Sequence, residues 1–153
     1  MKEVGLFTII LVSLIFPVGI NSSTRGYSFT SPFDEYGPIC SEDEEARLDN
    51  FAARLHESST AIGHIIVYDA KYACRGEALA RALRAKKYLV QHRKVDPNRV
   101  VIRWGGYLNE LTTTLHDVPR GAAIWPFTPS ISAAEVKFVG KCKGKVRPVK
   151  CLR

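Results

Sequence analysis

No Cys-x-x-Cys pair occurs in this chain, although it holds four cysteines, so the paired-ligand spacing of a structural zinc site is missing. Gly-x-Ser-x-Gly, a phosphate loop and His-Glu-x-x-His are missing as well, which removes the common signatures of serine hydrolases, nucleotide-binding enzymes and zinc peptidases. The histidines His56, His64, His92 and His116 are scattered, with no partner pattern for metal binding or catalysis. Neither catalytic activity nor a metal or other cofactor is therefore expected. Long apolar runs are scarce too. The one stretch of that kind, Val4 to Phe16, has about 13 residues where a membrane-spanning helix needs about 20. No internal repeat is visible.

What that apolar stretch does suit is the core of a signal peptide. Lys2 precedes it, Pro17 and Gly19 break it, and small polar residues follow at Ser22, Ser23 and Thr24. The expected division is a signal peptide over 1–23 and a polar lead over 24–32, with export to the periplasm or cell envelope. No Cys directly follows the run, so lipid attachment is not expected. Outside the cytoplasm the four cysteines read as disulfides. Four cysteines allow three pairings. The favoured one joins Cys40 to Cys74 and Cys142 to Cys151.

Charge is uneven. The formal net charge is +7, and Lys141, Lys143, Lys145, Arg147, Lys150 and Arg153 crowd the last residues. The basic character belongs to an appendage.

Between these ends the pattern alternates strands and helices. Phe33 to Gly37 reads as a short strand. Ser41 with Glu44 forms a capping-box pattern, and Glu42, Asp43, Glu44 and Glu45 stand where a helix dipole favours acids. Leu48, Phe51, Ala52 and Leu55 then recur at one helical stripe. Ile65-Ile66-Val67 is the β-branched run of a buried strand, and Asp69 to Gly76 reads as a loop. A second helix is expected from Glu77 to His92, with small apolar residues Ala78, Ala82 and Ala85 that allow close packing on a sheet. Arg99 to Trp104, with Val100, Ile102 and Trp104 on one core-facing side, and Leu111 to Val118 complete a β-α-β-α-β-β order. The expectation is a two-layer α+β sandwich over 33–120 with both helices on one face. A Pro-containing linker over 121–134 and a basic tail over 135–153, folded as a hairpin and closed by Cys142 and Cys151, would follow.

The run Arg81-Ala82, Tyr88-Leu89, Val95, Arg99-Val100 and Gly106 resembles the OmpA-like domain family. The resemblance covers roughly Pro32 to Val118. It implies a non-catalytic domain that holds peptidoglycan, in which Arg81 and an aspartate of the preceding loop, Asp69, clasp the diaminopimelate of the wall peptide. An Arg fork matches a carboxylate, and a carboxylate answers the ammonium of the same amino acid. The loop here, Asp69 to Cys74, is shorter than the family's. The alternative is a secreted interaction module on the same fold without wall binding. Its working surface would be the tail cations Lys141, Lys143, Lys145, Arg147 and Lys150, which suit anionic envelope polymers rather than a specific nucleic acid.

Overall fold

The computed structural model describes residues 29–141 and Cys151. The elements are β1 (Phe29–Thr30), β2 (Asp34–Tyr36), α1 (Ser41–Glu57), β3 (Ile62–Ala70), β4 (Tyr72–Arg75), α2 (Glu77–Gln91), β5 (Val100–Leu108), β6 (Thr112–Val118), β7 (Ala123–Ile124) and β8 (Lys137–Lys141). One-turn 3-10 helices stand at Pro97–Arg99 and Ala133–Glu135. The expected signal peptide and lead lie outside the described residues, apart from the short β1 within the lead.

The main sheet has the order β2-β6-β3-β5. β3 and β5 run parallel, joined through α2, while β6 is antiparallel to both β2 and β3. The fold is an α+β sandwich. Side chains alternate across a strand, and Ile65, Val67, Leu115 and Val100 therefore share one face. On that face they meet Leu48, Phe51 and Leu55 of α1 and Ala78, Ala82, Ala85 and Leu89 of α2 in a single core. The small residues of α2 let the helix approach β3 closely. α1 packs over Gly63, where a Cβ would stand 2.7 Å from a methyl of Leu55 and 3.2 Å from the Phe51 ring, so a larger residue would have to displace those side chains.

Several residues of the family-like pattern have structural duties here. Arg99 lies under the end of α1 and donates to the carbonyls of Leu55 at 2.7 Å and Ala61 at 2.9 Å, and also to that of Ser58. Those are carbonyls that a helix terminus leaves unpaired. The Tyr88 hydroxyl donates to Asp49 across the two helices at 2.8 Å, and Arg93 pairs with the same carboxylate. Ala82, Leu89, Val95 and Val100 are core.

The opposite face of the sheet is not open to solvent. Ile66, His64, Thr114 and His116 alternate with the helix-side residues and are buried. The stretch after β6 crosses them. β7 pairs in parallel with β1, Ile131 bridges to Tyr107, and Pro129 lies where a Cβ on Gly106 would come within 2.8 Å. Gly106 also has φ +106, a conformation that favours glycine. The segment expected to be a linker is thus a strap packed on the back of the domain, because the sheet carries apolar and weakly polar residues on both faces.

Other expectations need correction. Ser41 is the first helical residue and Cys40 the N-cap, with no side-chain capping bond. Glu44 does not reach back; it is buried and pairs with Arg84 of α2 at 2.7 Å. The expected loop after Asp69 contains β4, which pairs in parallel with β8. Trp104 is not core. The register slips between Val67 and Tyr68, whose partners are Trp104 and Gly106. Trp104 itself stays in register with Val67, but it lies on the edge strand β5, where its indole is 55% exposed.

The expected cysteine pairing is also overturned. Cys40 bonds Cys151, so neither Cys40–Cys74 nor Cys142–Cys151 forms, and the tail is not closed on itself. Cys74 is oxidised as well. β8 pairs with β4, and at the start of α1 the Cys151 amide donates to Glu42 at 3.3 Å beside its bond to Cys40. Cys142, Lys143, Lys145, Arg147 and Lys150 lie outside the described residues, and Lys141 ends β8.

Candidate functional site

The two residues assigned to wall binding stand at one end of the molecule, where β3 ends and α2 begins. Gly76 precedes α2 and has no side chain to cap it. Asp69, near the end of β3, does this from outside: its Oδ1 accepts from the Ala78 amide at 3.3 Å. Its Oδ2 accepts from the exposed Trp104 indole at 3.1 Å. Both oxygens are therefore fixed in direction, and each keeps a lone pair for a further donor.

Arg81 lies one turn into α2 and is 5% exposed. Glu77, one turn before it, is only a loose partner, Nε standing 4.0 Å from Oε1. Among the described residues Nε has no hydrogen-bond acceptor. A charge this buried is ordinarily paired and fully hydrogen-bonded. Four further described atoms share this condition, Thr30 Oγ1 and His116 Nδ1 elsewhere and Tyr36 Oη and Glu44 Oε1 near Arg81. Burial, then Glu44 and Asp34, push the Tyr36 hydroxyl far up, while Arg81 and Arg84 pull the other way. Tyr36 is thus a neutral donor, and a cation, a carboxylate and a hydroxyl are gathered between β2, α1 and α2. Sequence reading missed Tyr36 and Glu44. Glu44 looked like an ordinary first-turn acid, and its only clue was its place beside the α1 stripe.

Neither a model of a known family, nor a curated protein, nor a solved structure matches this chain.

Chemistry at this end is therefore read from the residues themselves. A fixed carboxylate, an indole beside it and a buried guanidinium can bind a small zwitterion, with its carboxylate toward Arg81 and its ammonium toward Asp69. Nothing in the arrangement resembles a nucleophile activated by a base. The oxidised Cys40 and Cys151 lie near Glu42, but sulfurs joined to each other do not act as thiolate ligands.

The histidines are less scattered than the sequence implies. His64 and His116 are cross-strand partners on the back face. Burial, then Arg103 and His116, lower the His64 pKa to about 4, and burial lowers that of His116 despite the nearby Asp117. A histidine kept neutral in the native state favours the fold above its ordinary pKa of 6.5 and opposes it as acid protonates the unfolded chain first. Stability should fall as pH drops from 6.5 to about 4, by about 2 kcal/mol for His64. Urea denaturation across that range checks this, and His64→Gln should flatten the slope.

Among the described residues no helix is long and apolar enough to cross a membrane. The Cys40–Cys151 disulfide fits an exported protein.

Proposed function

We propose that this chain is an exported, non-catalytic domain of the cell envelope that associates non-covalently with diaminopimelate-containing peptidoglycan through Asp69 and Arg81. The observation that carries this reading is the buried Arg81 side chain, whose Nε has no hydrogen-bond acceptor among the described residues, near the end of α2 that Asp69 caps. A free amino-acid end of a wall peptide supplies the carboxylate that Arg81 lacks and the ammonium that Asp69 accepts. The β-α-β-α-β-β order of the main-sheet strands and the two helices, and the resemblance over Pro32 to Val118, support the same reading. The periplasm or the inner face of an outer membrane is the place where such a ligand is met.

Co-sedimentation of the mature protein with purified peptidoglycan, at low and high salt, is the test. Pelleting that resists salt and weakens in Asp69→Asn is the expected result. Pelleting that disappears in salt and ignores Asp69 would move the function to the cationic tail.

That second reading, a secreted polyanion-binding module, has one observation of its own. The tail is anchored to the body on both sides of its lysines, by β8 on β4 and by Cys151 on Cys40. A tethered cationic segment loses less entropy on binding than a loose one.

A further inference from the structure

A hollow of about 370 Å³ lies between the back of the sheet and the strap, lined by His64, Arg103, Val118, Ile124, Trp125 and Phe127 among others. Its volume is within the range of small-molecule sites. Its polar groups share one character. Arg103 Nε donates to His64 Nδ1 at 3.1 Å, so the neutral imidazole carries its proton on Nε2 and presents a donor there. The guanidinium has no ion-pair partner among the described residues, and no acidic side chain lines the hollow. The remaining wall is apolar, with the Trp125 indole 61% exposed at the rim. Phe29 of β1 packs edge-on against that indole at 5.0 Å between centroids and holds it in place.

We propose that this hollow is a binding site for a small organic carboxylate carried on an apolar ring or sugar face, the carboxylate held by Arg103 and His64 and the ring against Trp125 and Phe127. Donors without acceptors select an anion. Because the guanidinium is planar, it meets a carboxylate with two parallel bonds. The aromatic wall selects a flat or C–H-rich body over a bare inorganic ion. The site is on the opposite face of the sheet from α2, so it stands whether or not the chain binds peptidoglycan.

Calorimetric titration of the intact oxidised protein tests it, with benzoate, cyclohexanecarboxylate and glucuronate as probes. Benzamide, glucose and inorganic phosphate are the controls. At least one carboxylate should bind, its neutral counterpart should not, and Arg103→Gln should weaken it about tenfold or more. Glucuronate in preference to the plain rings would identify a sugar source, and the reverse an aromatic or alicyclic acid. Gln keeps a side-chain donor for His64 Nδ1, so the variant should stay folded, which its melting curve checks. Arg103→Lys is a second variant that keeps the charge without the planar fork. Equal binding of the neutral compounds, equal binding of phosphate, indifference to Arg103→Gln, or no binding by any carboxylate would each overturn the proposal.

Discussion

Replacing Arg81 with Met should leave the domain as stable as before, or raise its stability by about 1 kcal/mol or more, while removing peptidoglycan binding. The two effects have one origin. The Arg81 side chain is desolvated, yet its nearest carboxylate is 4.0 Å away and its Nε has no acceptor. A buried charge so poorly compensated opposes folding, and an apolar residue of similar length commonly improves on it. If the guanidinium is kept to receive a ligand carboxylate, its loss should weaken wall association at least about tenfold, as expected for a charge-assisted hydrogen bond. Urea midpoints and co-sedimentation on the same preparation separate the cases. Destabilisation by several kcal/mol would make Arg81 a structural ion. Unchanged binding in a stable variant would sink its role as the clasp.

A second large effect is expected at the disulfide. Cys40 and Cys151 are separated by 111 positions, so the bridge closes almost the whole domain into one loop. In the chain-entropy account a loop of about that length favours the folded state by about 4 to 5 kcal/mol. The double variant Cys40→Ser, Cys151→Ser should lose an amount of that order in equilibrium urea unfolding. A loss below about 1 kcal/mol would mean that the unfolded chain is already constrained by other means. Reducing agent should act more strongly on the wild type than this double substitution does, since Cys74 is also oxidised.

The helix-side half of the molecule was legible because its signals are local. Leu48, Phe51, Ala52 and Leu55 announce α1 by spacing, and Ile65-Ile66-Val67 announces the central strand by composition; both are core. Features that depend on distant pairing were not legible. The β4–β8 ribbon joins short segments far apart in the chain, and neither has a distinctive pattern alone. The Cys40–Cys151 bond likewise joins positions 111 apart, and nothing near either cysteine marks its partner. Trp104 keeps the alternation of Val100 and Ile102 but is exposed, because β5 is an edge strand, and strand order is not written in periodicity. At the site, Asp69 and Arg81 were found by resemblance. Tyr36 and Glu44, which complete the buried polar group around Arg81, look in sequence like a strand residue and a helix-start acid. The strap was read as a linker because Pro126 and Pro129 suggest a spacer, yet Pro129 is the residue that meets Gly106.

The Cys40–Cys151 bridge also decides how the molecule carries load. Tension applied between the chain before Cys40 and the chain after Cys151 passes from one sulfur to the other and bypasses everything in between. Both helices, the strap and the three strands β3, β5 and β6 would remain slack under a pull that tears at the envelope. Only the short strands before Cys40 lie outside the covalent loop, so β1 would be peeled from β7 and β2 from β6. For a protein fastened at one end to a stretching polymer, that arrangement turns the domain into a passenger on its own tether.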